Sequence, residues 1–186
     1  MNRIRQLLQN YSSYISLPWR KDVAAAQRVV VCVYQENLEL QLRARIDEFE
    51  LATRGVGHNW ALFDLTDTFA NWLVEQRYAK NFFDKPQFLF ASLPRYRTFL
   101  AETFKKVAGE QAKDKNCVIA LMGTGSLFGF VKIKDLLTDL APMVQGRLLV
   151  FFPGNYENNN YRLLNGYDGW NYLAVPITAD SDFERI

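Results

Sequence analysis

The residues best suited to binding a ligand form a short glycine turn. Gly123-Thr124-Gly125-Ser126 directly follows an apolar run that is typical of a buried strand. Glycines in such a turn let a ligand approach the backbone, and free N–H groups there can hold an anion. Asp64 ends another apolar run, where many nucleotide-hydrolysing folds carry a metal-binding acid. Gly123, Thr124, Gly125, Ser126 and Asp64 are therefore the candidate residues of a ligand site.

The glycine turn does not match the sequences of known phosphate-binding loops. A P-loop needs Gly, four residues, then Gly-Lys followed by Ser or Thr, and the chain has this pattern nowhere. The dinucleotide fingerprint G-x-G-x-x-G also fails, because the third glycine is Gly129, one position late. Ser126 does not lie in a G-x-S-x-G elbow. A tight strand-to-helix turn is the favoured interpretation, with Asp64 or Asp67 capping the next helix. A degenerate nucleotide site stays open.

The sequence offers few candidate residues for a metal site or for a catalytic nucleophile. His58 is the one histidine, and it is accompanied by two cysteines, Cys32 and Cys117, inside apolar runs. This set is too small for a typical zinc site of three or four nitrogen and sulfur ligands. We predict no metal, no cofactor and no catalytic residue. The cysteines are predicted to be buried thiols rather than a disulfide.

The segment 153–170 is unusually rich in aromatic and asparagine residues. Long, aromatic segments between two strands are often functional surfaces. A packed loop that covers its own aromatics is an equally good interpretation. If the segment binds a partner, the candidate interface residues are Tyr156, Tyr161, Arg162, Tyr167, Asp168 and Trp170.

The charge and hydropathy of the chain narrow the classes of partner. It carries 22 basic and 20 acidic residues, a net charge of +2, which gives no strong attraction to nucleic acid. The first 28 residues are more basic, and we interpret them as a solvated helix face. No apolar run is long enough to span a membrane, and no signal peptide is evident. We therefore predict a cytoplasmic protein without direct nucleic-acid or membrane contact.

These candidate residues must be positioned by alternating strands and helices. Strands are predicted at 29–34, 59–65, 117–122, 147–152 and about 170–177, with an amphipathic helix at the N-terminus. The stretch 82–93 is predicted to be an irregular or short helical insert, followed by a helix from about 95 to 110. The alternation predicts one α/β domain over residues 1–186, a three-layer sandwich around a mostly parallel sheet of about five strands.

The C-terminal half resembles a known family. The resemblance lies in Val118–Phe128, then Leu136-Leu137, then Leu149–Tyr156 with its FFPG motif, and then Tyr161–Gly166 with its YRLL motif. In this order and spacing, the motifs are similar to those of the BrxB family of bacteriophage exclusion (BREX) systems. The similarity is clearest from about residue 117 to 167.

The resemblance implies a component of an anti-phage defence assembly rather than a stand-alone enzyme. It implies a fold similar to a P-loop-type domain without Walker motifs. The expected role is an adaptor or scaffold that binds PglZ, an alkaline-phosphatase-like protein, and beyond it the ATPase or methyltransferase of the system. The alternatives are a degenerate nucleotide-binding, ATPase-like domain and, with less support, a nucleic-acid-binding protein.

Overall fold

A six-stranded sheet forms the centre of the protein in a computed structural model that describes residues 2–164, 166 and 169–181. The strands are β1 Val29–Tyr34, β2 Asn59–Asp64, β3 Cys117–Met122, β4 Arg147–Glu157, β5 Asn160–Leu163 and β6 Val175–Ile177. Their order is β2-β3-β4-β1-β6, and these five strands are parallel. The short β5 pairs antiparallel with the far end of β4. The predicted α/β class with a mostly parallel sheet is confirmed.

Helices cover both faces of this sheet. They are α1 Arg3–Ile15, α2 Glu39–Arg43, α3 Ile46–Gly55, α4 Thr68–Val74, α5 Ala79–Asp84, α6 Gln87–Ala108 and α7 Ile133–Leu140. The buried side chains of α1 and α3 form one apolar core with the sheet, and those of α4, α6 and α7 form the other. The molecule is therefore built in three layers.

The side chains of β1 show why its sequence has no polar alternation. Val30 and Cys32 belong to the core under α1 and α3, whereas Val31 and Val33 belong to the core under α6 and α7. Successive side chains of a strand point to opposite faces, so a strand covered on both faces must be apolar throughout. All six residues of β1 are buried.

Four elements differ from the sequence predictions. The short helix α5 agrees with the predicted insert, but α6 starts at Gln87 rather than at about 95 and continues through Pro94. A proline removes one helical hydrogen bond, but the helix is held beyond it by a buried stripe that includes Tyr96 and Leu100. β4 does not end at residue 152 but continues to Glu157. β5 was not predicted, and the predicted last strand is confined to Val175–Ile177.

The two cysteines are free and fully buried, as predicted. Burial raises the pKa of Cys117 to about 11 and also raises that of Cys32. Since the thiolate is the reactive form, we expect the native protein to resist Ellman's reagent at pH 8. Both thiols should react once the protein is unfolded in guanidinium chloride. If the native protein rapidly released one equivalent of thionitrobenzoate, one of the two cysteines could not be buried.

Candidate functional site

The glycine turn after β3 is closed by its own hydrogen bonds. Gly123 has a left-handed backbone with φ of 75°, and it is followed by a short 3-10 turn, Thr124–Leu127. The Thr124 hydroxyl donates to the Phe151 carbonyl at 2.7 Å. The Ser126 hydroxyl lies 2.7 Å from the Gly123 carbonyl oxygen. Both hydroxyls are thus engaged with the backbone.

Asp64 lies beside the turn, because β2 and β3 are neighbours in the sheet. Its Oδ1 accepts hydrogen bonds from the backbone N–H and the hydroxyl of Thr66. Its Oδ2 is 3.8 Å from Nη1 of Arg43. The structure therefore brings Asp64 and Gly123 together, as their places at two strand ends indicate, but the carboxylate closes a local turn.

The space above the turn is filled by neighbouring chain. A Cβ at Gly123 would lie 2.5 Å from Oγ1 of Thr66, and one at Gly125 would lie 3.3 Å from Cγ of Pro153. These glycines let the turn pack closely against Thr66, which follows β2, and against Pro153 of β4. A phosphate group bound here would have to displace those contacts.

The packing at the turn can be tested with two glycines of similar backbone conformation. Gly123 and Gly129 both have positive φ, but a Cβ at Gly129 meets nothing within 4 Å. We expect Gly129→Ala to cost about 1–2 kcal/mol of unfolding free energy, the backbone penalty alone. Gly123→Ala should cost about 2–3 kcal/mol, because the methyl group also collides with Thr66. Urea denaturation of the two variants measures the difference, and equal costs would contradict a filled turn.

The aromatic segment after the FFPG motif begins as a β-hairpin. β4 is 11 residues long and continues past β3 to pair with β5. The two residues that connect them, Asn158 and Asn159, both have positive φ, as a tight type I′ turn requires. The hairpin extends beyond the carboxyl end of β3.

The aromatic rings of this hairpin pack against one another. Tyr161 is fully buried, with its ring centroid 4.6 Å from that of Tyr156, 5.0 Å from Trp170 and 5.8 Å from Phe152. Tyr161 and Trp170 also exchange two backbone hydrogen bonds. Arg162 is exposed, and Tyr156 and Trp170 are partly buried. The candidate residues Tyr167 and Asp168 lie outside the described residues.

A cavity of about 460 Å³ lies at the carboxyl ends of β1, β4 and β6. β1 is the neighbour of β4 in the sheet although it comes first in the chain, so the strand order reverses between these two strands. Open parallel sheets bind ligands at the carboxyl ends of the strands where the order reverses. Tyr34 and Asn155 line the cavity, and Arg3 pairs with Asp180 at its rim, with two contacts of 2.8 Å. This recess therefore lies beside β1, and residues 123–126 are not part of its lining.

Four aromatic side chains that sequence reasoning missed are exposed within residues 78–90. Tyr78, Phe83, Phe88 and Phe90 are 59, 74, 50 and 63% exposed. We call these four residues the aromatic patch. Phe83 lies on α5, Phe88 and Phe90 lie at the start of α6, and Tyr78 lies just before α5. The three phenylalanines fall in the stretch 82–93, which the sequence predicts to be an irregular or short helical insert. Aromatic and basic residues are interleaved through 77–90, and this pattern could have indicated an exposed aromatic surface from the sequence alone.

Within the described ranges, no three His, Cys, Asp or Glu side chains come close enough to hold a metal ion. No helix of the described residues has the length and apolar character that crossing a bilayer requires.

The family model for the BREX protein BrxB matches residues 62–176. The chain belongs to the BrxB family. The match extends from β2 to β6, so it covers more of the chain than the motifs between 117 and 167, and it includes the glycine turn, the hairpin and the aromatic patch. Comparison with curated proteins and with solved structures found no match. Membership in the BrxB family makes this chain a component of a BREX defence system.

Proposed function

We propose that this BrxB-family chain is a non-catalytic, cytoplasmic adaptor that binds PglZ through the aromatic patch. The observation that carries the proposal is the exposure of four aromatic side chains within residues 78–90. Tyr and Phe are enriched at protein interfaces relative to the rest of the protein surface, so exposed rings concentrated in one short segment favour a partner contact there. The patch lies inside the matched range of the family.

The charges around the aromatic patch favour an acidic partner surface. Between residues 77 and 95, four basic residues stand against the single acid Asp84. Arg77 lies over the ring of Tyr78 at 5.4 Å, and Lys85 lies over the ring of Phe88 at 5.9 Å. A partner that buries these rings will therefore meet positive charge around them, which carboxylates complement.

The contacts at the glycine turn support a role without nucleotide chemistry. The Thr124 and Ser126 hydroxyls bond to backbone carbonyls, and Asp64 accepts from Thr66. A phosphate-binding turn instead needs donors that are free to face the ligand. The ATPase and the methyltransferase of the system are further candidate partners of the same adaptor.

Co-purification with PglZ tests the proposal. We expect the tagged chain to retain PglZ through size-exclusion chromatography, and calorimetric titration of the chain with Mg-ATP to give no heat of binding. Failure to retain PglZ would contradict the adaptor role. Heat that appears with Mg-ATP and is lost in Gly125→Leu would favour a degenerate nucleotide-binding domain instead.

A further inference from the structure

A second cavity lies at the opposite, amino-terminal edge of the sheet. It has a volume of about 380 Å³ and is lined by the first residues of β4 and β6 and by the connection from α1 to β1. Arg20 and Arg147 are the charged residues of its lining. Arg28 lies nearby and donates to the carbonyls of Val23 and Val144.

Arg147 is a buried cation that forms no ion pair within the described part of the chain. It is only 6% exposed, and among the described residues no carboxylate lies within ion-pair distance of it. Its Nη1 and Nη2 donate to the carbonyls of Gly146 and Arg20, each at 3.2 Å. Burial lowers the pKa of Arg147, a contact with Tyr14 offsets part of this effect, and the charge of Arg28 lowers the pKa further. An uncompensated buried charge is costly, so an anion bound here would relieve that cost.

Two N–H donors buried in this place have no acceptor within the part of the chain that the structure describes. Nε of Arg147 and Nε1 of Trp19 have no hydrogen-bond partner among the described residues. The two groups adjoin, because the Arg147 guanidinium lies 4.7 Å from the centre of the Trp19 ring. Trp19 is held in position by His58, whose ring stacks on it at 3.9 Å. An indole and a guanidinium can only donate, so the group they lack is an acceptor.

We propose that this cavity binds an oxyanion, a carboxylate or phosphate group, with Arg147 and Trp19 as its donors. The planar guanidinium suits the paired oxygens of either group. Arg20 is exposed at the cavity and adds positive charge. The first 28 residues were predicted to present their basic side chains on a solvated helix face. Arg20 and Arg28 lie outside α1, so that interpretation does not apply to these two arginines. The site is independent of the proposed PglZ contact.

Nuclear magnetic resonance can detect the oxyanion directly. The ¹H–¹⁵N spectrum resolves tryptophan indole N–H groups, and Trp19→Phe identifies the resonance of Trp19. We expect sodium phosphate or sodium acetate, titrated at constant ionic strength, to shift the Trp19 indole in a saturable manner. The indole N–H resonances of Trp60, Trp72 and Trp170 should not shift. If only one of the two salts shifts the Trp19 resonance in a saturable manner, that salt identifies the group that the site binds. No shift with either salt, or an equal shift with sodium chloride, would overturn the proposal.

Variants test the two donors. Arg147→Met keeps the apolar stem and removes the charge, and we expect it to weaken binding of the more effective anion at least about tenfold in calorimetry. If Arg147→Met does not fold, Trp19→Phe keeps an aromatic ring while removing its donor, and it should weaken binding about threefold to tenfold. Arg5→Gln is the matched control, since Arg5 is an exposed arginine on α1. Affinity that is unchanged in the donor variants, or that falls equally in Arg5→Gln, would overturn the assignment.

Discussion

Phe83→Ala combined with Phe90→Ala is expected to weaken binding of the chain to PglZ by about 100-fold or more. The two side chains are 74 and 63% exposed, so their loss removes apolar surface that only a partner can bury. Aromatic anchors at the centre of an interface contribute most of its binding energy. Biolayer interferometry with immobilised PglZ measures the change, and thermal unfolding should show little loss of stability.

Leu51→Ala is the matched control for the aromatic patch. Leu51 is 69% exposed and lies on α3, which packs on the opposite face of the sheet. Its substitution removes a similar exposed apolar side chain without touching α5 or α6. We expect the affinity of this variant for PglZ to equal that of the unchanged chain. If Leu51→Ala weakens binding and the double phenylalanine variant does not, the interface lies on the α1–α3 face.

Tyr161→Ala is expected to destabilise the fold by about 3–5 kcal/mol, as the loss of a fully buried aromatic ring does. The ring fills the space between Phe152, Tyr156 and Trp170. Removing it leaves a cavity beneath the segment that carries the FFPG and YRLL motifs. Chemical denaturation monitored by tryptophan fluorescence measures the cost.

Tyr161→Phe separates the ring from its hydroxyl. The Tyr161 hydroxyl is buried and has no hydrogen-bond partner among the described residues. Removing a buried, unpaired polar group should leave stability equal or slightly higher. A Tyr161→Ala variant as stable as the unchanged chain would show that the ring does not support the hairpin. A large loss in Tyr161→Phe would reveal a partner for the hydroxyl.

The interior strands were predictable from sequence for a clear physical reason. β1 and β3 are buried on both faces, so their apolar runs have no polar interruption, and their bounds match those predicted. The proximity of Asp64 to Gly123 follows from the same logic, because the ends of neighbouring parallel strands meet at one edge. The resemblance to the BrxB family added a functional prediction, a component of BREX defence, and the family match supports that prediction.

The exposure of aromatic rings could not be predicted in the same way. Tyr161 and Phe83 lie in similarly aromatic stretches, yet one is fully buried and the other is 74% exposed. Which ring is covered depends on β4 continuing beyond β3, and on the path that brings Trp170 back to Tyr161. The cavity beside β1 likewise depends on Arg3 meeting Asp180, 177 positions away. A local pattern carries no information about such distant contacts.

Hydrogen–deuterium exchange of the chain, alone and with PglZ, can locate the PglZ contact and report on the glycine turn in one experiment. The adaptor account predicts that PglZ slows exchange in peptides covering 78–95 and leaves those covering 123–126 unchanged. Exchange that PglZ leaves unaltered throughout 78–95, or protection of 123–126 by Mg-ATP alone, would contradict it.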